Sequence, residues 1–359
     1  MRITNQLVGL SILAAAALGS SVVATAIGQE VADQISANSF MDILSNELYT
    51  HLGDNKGVGG AQHDPCRNNI QARFESYGLT VELDPFVYQS TTYHNVVATH
   101  AGTRFPDQQY IIGAHYDTVN NPGADDDASG VALMLEIARV LSQYETDITI
   151  KFIAFDREEQ GKVGSTAYVA EHAGEQILGM VQIDMIAHDV GMNTQDMWGN
   201  AASAPLRQLV LTAINEYGNG TNAIYAGPAT FSDHAPFATA GYQAFAFVEH
   251  SFAAFGCYHQ PCDAVDTPNY IHPEFASNLA RSLAGFLADN AGVNPDTIPA
   301  DINGDGVVNG LDLGILLANW SIPPAAPGCA GALPCAADLN GDTFVNGLDL
   351  GILLAGWTI

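Results

Sequence analysis

Positive charge is what this chain has least of. Its 359 residues carry 11 Lys and Arg against 39 Asp and Glu, a formal net charge of −28. So acidic a surface repels phosphate, which excludes nucleic acid as the main partner and disfavours anionic membranes. Long apolar runs are scarce as well. Leu7 to Leu18 spans only about a dozen residues, short of the ~20 that a membrane span needs. Cysteines number five, and four of them fall into close pairs, Cys257 with Cys262 and Cys329 with Cys335. We expect these pairs to be bridged, although the odd count lets Cys66 compete for a partner. Charged residues make up only 14% and hydrophobic ones 47%, which excludes wholesale disorder.

The amino terminus has the form of an export signal. Arg2 precedes the apolar run, and Ala24-Thr25-Ala26 has the A-x-A form of a cleavage site. Residues 1–26 are therefore read as a signal peptide, and the mature protein as secreted, extracellular or periplasmic. Export makes disulfides possible.

The remaining length suits two domains. An amphipathic helical pattern runs from Val31 to Leu52. Short apolar runs at 110–114, 148–155, 177–183 and 244–248 read as buried strands. Helical spacing appears between them at 130–144, 204–217 and 273–289. Such alternation predicts an α/β fold with a mostly parallel sheet, flanked by helices on both faces. We assign this domain to 27–292 and a Pro-containing linker to 293–300.

Beyond the linker lies a repeat. Asn309–Trp320 and Asn346–Trp357 are the same sequence at all but one position, so 301–359 is a duplicated module. Each copy opens with a twelve-residue loop. In the first, Asp301, Asn303, Asp305, Asn309 and Asp312 offer side-chain oxygens and Val307 a backbone carbonyl. In the second, Asp338, Asn340, Asp342, Asn346 and Asp349 do so, with the Phe344 carbonyl. Ca²⁺ takes 6–8 oxygens in such an arrangement, so two Ca²⁺ are expected, in a small all-α unit of two loop–helix repeats. The repeats resemble dockerin modules, which implies a cohesin-like partner. Thr343 stands where the first loop has Gly306, and the connector 321–337 is long.

The α/β part concentrates acids and imidazoles where its strands end. His115 and Asp117 follow the first strand. Asp125-Asp126-Asp127 precede a Ser-Gly helix start. Glu158 and Glu159 follow the second strand, Asp184 ends the third, and His259 sits in a later loop. Ligands of parallel sheets gather at the carboxyl ends of strands. Carboxylates packed together raise each other's pKa. A pair of Zn²⁺ ions neutralises such a set, and zinc accepts both imidazole nitrogen and carboxylate oxygen. In an extended segment Glu158 and Glu159 point opposite ways, so one can bind metal while the other faces substrate.

With the motifs HYDT, GADDDASG, EE, DM, SDHAPF and CYHxxCD over 95–285, the chain resembles the di-zinc aminopeptidases of the bacterial leucyl aminopeptidase type. Glutamate carboxypeptidases and glutaminyl cyclases share that family. The resemblance implies that Asp126 bridges two zinc ions, one also held by His115 and Asp184, the other by Glu159 and His259. It implies Glu158 as general base, Asp117 orienting His115, Tyr258 stabilising the oxyanion, a Cys257–Cys262 disulfide, and a cis bond between Asp126 and Asp127. Phe231 departs from the pattern, standing where one branch has a substrate-contacting arginine; another branch has a cysteine pair near Gly227 and Phe231. Asp233 and His234 read as structural, and His51, His63 and His172 as ordinary residues. The expected activity is release of apolar N-terminal residues from peptides with a free amine. Glutaminyl cyclisation and C-terminal hydrolysis on the same fold are the alternatives; Arg157 is the one cation beside a site motif. A non-catalytic calcium-stabilised scaffold would lack a ligand or the base, and none is missing.

Overall fold

The computed structural model describes residues 25–250, 252, 254, 256–293, 300–303, 307–321, 337–339 and 344–357. Residues 1–24, most of the linker, Cys329, Cys335, Gly306 and Thr343 lie outside the described residues. So do the loop positions Asp305, Asn340 and Asp342.

Eight strands form one sheet: β1 (Thr80–Tyr88), β2 (Thr91–His100), β3 (Phe105–His115), β4 (Ile148–Phe155), β5 (Gln176–Ile183), β6 (Thr194–Gly199), β7 (Asn222–Gly227) and β8 (Ala244–Glu249). Their order across the sheet is β1-β2-β4-β3-β5-β8-β6-β7. The central β4, β3, β5 and β8 run parallel. β2 pairs antiparallel with β1 and β4, and β6 pairs antiparallel with β8. The sheet is thus mixed, with a parallel centre.

Successive strand residues face opposite sides. Ile112, Phe152 and Ala154 join the larger core with helices α4 (Ala128–Leu141), α6 (Ala204–Tyr217) and α8 (Pro273–Ala291). Ile111, Ile153 and Phe155 face the smaller core, with Tyr168 from α5 (Val163–Glu171) and Phe237 from α7 (His234–Thr239). The expected strands and the helices at 130–144, 204–217 and 273–289 correspond to elements here, with bounds that differ by a few residues. β1, β2, β6 and β7 were not anticipated; β1, as an edge strand, buries few side chains and carries Pro85.

The amphipathic stretch at 31–52 is not one helix. It splits into α1 (Ala26–Asp33) and α2 (Ala37–Asn46), because Ser36 leaves the helical conformation and caps α2, accepting from Ser39 N at 3.2 Å. Val31, Phe40 and Leu44 are fully buried in the larger core. A further helix, α3 (His63–Ser76), packs Ile70 and Phe74 into the same core.

The repeats form α9 (Gly310–Ala318) and α10 (Gly347–Ala355). Val308 and Leu316 of one copy and Val345 and Leu353 of the other share a small core. Asp312 and Asp349 are fully buried at equivalent places. Asp312 accepts from Asn303 N and Asn309 N at 3.1 and 2.9 Å. Asp349 accepts from Leu339 N and Asn346 N at 2.8 and 2.7 Å. Asn309 and Asn346 cap the two helices.

Candidate metal centre and active site

The carboxyl ends of β3, β4, β5 and β8 lie side by side at one edge of the sheet. His115 ends β3, and Asp184 follows β5 directly. Glu158 and Glu159 lie in the turn after β4, Asp126 in the loop between β3 and α4, and His259 in the loop between β8 and α8. All line one cavity of about 200 Å³, with Met185, Phe231, Val248, Phe252 and Tyr258 as its apolar wall.

Asp126 stands between the two imidazoles. Its Oδ1 is 3.3 Å from His115 Nε2 and its Oδ2 3.1 Å from His259 Nε2. His115 Nε2 is 3.8 Å from Asp184 Oδ1, and His259 Nε2 3.3 Å from Glu159 Oε2. Two clusters result, both compact enough to hold a cation. One contains His115 and Asp184, the other Asp126, Glu159 and His259. Asp127 is within reach of the first cluster, but backbone N–H groups occupy both its oxygens. Oδ2 accepts from His115 N at 3.0 Å, and Oδ1 from Gly130 N at 3.0 Å and Met185 N at 3.2 Å. Asp127 ties the three chain segments together and caps α4. Gly130 makes this approach possible, since a β-carbon there would meet Asp127 Oδ1 at 2.4 Å and the Ile183 carbonyl at 2.6 Å. The Asp126–Asp127 peptide is cis.

Asp117 Oδ1 accepts from Glu158 N at 3.0 Å and lies 3.7 Å from His115 Nδ1. The Asp117 carboxylate thus braces the backbone of the Glu pair, while its backbone carbonyl, 3.1 Å from His115 Nδ1, is the hydrogen-bond partner of the imidazole. That pair is not extended, contrary to expectation. Arg157 takes φ +63° and the Glu158 carbonyl accepts from Gly161 N and Lys162 N at 2.7 and 2.8 Å, closing a tight turn that aims both carboxylates into the cavity. The Arg157 side chain is buried and faces away, its guanidinium 4.0 Å from the Tyr93 ring centroid.

Burial and mutual charge shift the ionisable groups of the cluster in opposite directions. Burial, reinforced by Asp233, Asp184 and Asp117 against the opposing charge of His115, pushes Glu158 up to about 10. Burial alone would lower His115, yet Asp126 and Asp184 hold it well above its usual value. Hydrogen bonds to Asp126 and Glu159 push His259 up to about 10. Burial would raise Asp126, but His115 and His259 bring it down to about 2. Imidazoles are thus doing the neutralising, and Glu159 Oε1 is buried without a hydrogen-bond partner among the described residues.

Cys257 and Cys262 form a disulfide, which brackets Tyr258 and His259. Cys66 is a buried free thiol. Asp233 accepts from Ser165 Oγ at 2.5 Å and His234 Nε2 lies 3.0 Å from the Ala229 carbonyl, both outside the cavity wall. Four residues behind the site had no role in the sequence reading. Asp263 accepts from Asp125 N at 2.7 Å and Asp126 N at 3.2 Å. Lys56, fully buried, donates to the Pro122 carbonyl and, at 3.3 Å, to that of Gly123. Glu249 accepts from His188 N at 2.5 Å. His63 Nε2 is 2.9 Å from Asp156 Oδ1, two residues before Glu158. Only Asp263 carried a signal, as the last letter of the CYHxxCD motif.

The sequence pattern of peptidase family M28 matches residues 95–285, more than half of the chain. The chain belongs to peptidase family M28. Residues 299–355 match the dockerin type I domain. Aminopeptidase YwaD of Bacillus subtilis (strain 168) is 32% identical over 201 residues, which cover 52% of this M28 chain and 42% of that protein. A probable zinc metalloprotease of Pyrenophora teres f. teres is 31% identical over 189 residues, covering 45% and 41%. The chain thus spans less than half the length of these curated relatives. Among solved structures, the aminopeptidase from Aneurinibacillus sp. strain AM-1 superposes with TM-score 0.64 at 20% identity, over 74% of this chain and 97% of that one. Porphyromonas gingivalis glutaminyl cyclase gives 0.60 at 23%, over 72% and 99%. These likenesses establish the shared fold.

Proposed function

We propose that this protein is a secreted, two-zinc aminopeptidase that removes apolar N-terminal residues from peptides. The observation that carries this reading is the pair of donor clusters joined through Asp126, with Glu158 beside them in one cavity. The donor set fits zinc. It mixes imidazole and carboxylate, and Glu159 Oε1 is buried without a hydrogen-bond partner among the described residues. His115, Asp126 and Asp184 would hold one ion, and Asp126, Glu159 and His259 the other. Two bound zinc ions would supply Lewis-acid polarisation of the scissile carbonyl and acidify the attacking water.

The chain's own residues supply the rest. A carboxyl raised to about 10 is protonated at neutral pH and cannot act as a base. Cations held at the neighbouring clusters would favour the carboxylate form of Glu158. Glu158 then takes a proton from the attacking water and passes it to the departing amine. Asp117 keeps Glu158 and His115 in register. Tyr258 stands at the cavity wall, its ring stacked on His259 with centroids 3.8 Å apart, and donates its hydroxyl to the developing oxyanion. Met185, Phe231, Val248 and Phe252 surround an apolar side chain of the N-terminal residue. Arg157 faces away, so it does not supply the cation that C-terminal hydrolysis needs.

The unit 27–292 carries catalysis. Residues 301–359 bind two Ca²⁺ and tether the enzyme to a cohesin-like partner outside the cell. Among the described residues no helix is long and apolar enough to cross a membrane.

The test is hydrolysis of leucyl-p-nitroanilide and of its N-acetylated form, with and without a zinc chelator. Cleavage of the free-amine substrate alone, lost on chelation and restored by zinc, is expected. No cleavage of either by zinc-loaded protein would sink the reading. Glu158→Gln is expected to lower kcat by roughly 10²–10⁴-fold while zinc content stays unchanged.

A further inference from the structure

In so acidic a chain a cation without an ion pair among the described residues stands out. Most arginines and lysines among the described residues lie in ion pairs, such as Arg73–Glu47, Arg139–Glu136 and Lys151–Glu175. Lys56 is buried against backbone carbonyls, and Arg207 lies over the Tyr225 ring. Lys162 differs from all of these. It forms no ion pair within 4 Å of a described carboxylate, its charge reaching the buried Asp233 only at longer range, and its ammonium donates one long hydrogen bond, 3.4 Å, to the Phe231 carbonyl.

Its position is at the border of the catalytic cavity. Lys162 N donates to the Glu158 carbonyl, so the residue closes the turn that carries Glu158. Phe231, whose carbonyl it touches, lines the cavity. The preceding residue, Thr230, lines an adjoining open groove of about 590 Å³, together with Lys162, Thr166, Ala235 and Pro236; no carboxylate lines that groove. The backbone does not ask for lysine here. Its φ is +61°, a left-handed conformation that glycine adopts more readily.

From this we infer that Lys162 is a substrate-binding residue that receives a carboxylate on the leaving side of the scissile bond. The favoured substrates are then short peptides with a free α-carboxylate near the cleaved bond, or peptides acidic just after it. The ammonium and a carboxylate form a charge-assisted hydrogen bond at the edge of this open groove. The apolar cavity selects the first residue of the peptide, and Lys162 selects the second. This rests on the aminopeptidase reading only for the direction in which the peptide lies.

The experiment compares Leu-Gly, Leu-Gly-amide, Leu-Asp-amide and N-acetyl-Leu-Gly. Kinetics are measured on the zinc-loaded full chain, and binding by calorimetry to the Glu158→Gln variant, which does not depend on turnover. The expected result is about tenfold tighter binding and lower KM for Leu-Gly than for its amide. That ratio should fall to near one in Lys162→Gln, persist in Lys162→Arg, and shrink as salt is raised. Preference for Leu-Asp-amide over Leu-Gly-amide would identify a side-chain carboxylate as an equal source. A ratio near one in the unmodified protein, or one that survives Lys162→Gln, would overturn the assignment and leave the aminopeptidase reading untouched. Efficient use of N-acetyl-Leu-Gly, with the Lys162 dependence intact, would keep the assignment and move the enzyme to C-terminal hydrolysis.

Discussion

Individual side chains behind the metal cluster matter as much as those facing it. Asp263 accepts two consecutive backbone N–H groups, one of them from Asp126 itself. Replacing it with Asn turns one acceptor into a donor aimed at a donor. Asp263→Asn is expected to weaken zinc binding roughly 10–100-fold, read by competition with a chelating dye. Unchanged zinc affinity would show that the loop holds its shape without it. His63 makes a second case. Burial alone would lower its imidazole, but Asp156 outweighs this and holds it above its ordinary value. A raised folded value means that the folded state keeps a proton the unfolded chain has lost. The stability this pair contributes is therefore complete below about pH 6.5 and disappears as pH rises through the raised value. Denaturation midpoints followed from about pH 5 to pH 9 should fall more steeply for the native protein than for His63→Asn. Parallel curves would refute the coupling.

Helices and strands set where those side chains can be. The four central strands were legible because each is a short apolar run, and α4, α6 and α8 because their apolar residues recur at helical spacing. Long α8 is the clearest of these, with Leu283 and Leu287 fully buried in the larger core. Leu283→Ala should cost about 2–5 kcal/mol in urea denaturation, since the cavity it leaves is enclosed. A loss below about 1 kcal/mol would mean that the core refills the space. The edge strand β1 and the break between α1 and α2 were not legible in the same way. An edge strand has little apolar patterning to read. The helix break depends on the Ser36 side chain and on its backbone N–H donating to Glu136 of α4 at 2.7 Å, a partner 100 residues away.

For the molecule as a whole, the proposed zinc and calcium sites belong to different parts. The C-terminal core is small, built from residues such as Val308, Leu316, Val345 and Leu353. Below about 40 to 60 residues such units usually need a metal or crosslink to stay folded. Calcium removal by a calcium-selective chelator should therefore lower a separate, weaker unfolding transition in calorimetry and leave the peptidase transition in place. A calcium-insensitive trace would remove the ion from the account of the repeats.

Composition and motif order were enough for the fold class and the repeat, and the metal-binding residues they propose lie together around one cavity. Carboxylates and imidazoles gathered at strand ends need a common cation, and apolar periodicity reports burial directly. Charge was legible too, as a sum. How that charge is spent was not. Arg157, adjacent to the Glu pair in sequence, turns its side chain inward because its backbone takes a left-handed turn. Lys162, four residues after Glu158, lines the groove beside the cavity and makes no ion pair with a carboxylate among the described residues. Lys56 and His63, far away in sequence, end up bracing the site loops. These outcomes depend on which segments pack together, and a contact between distant segments leaves no periodic trace in the chain that forms it.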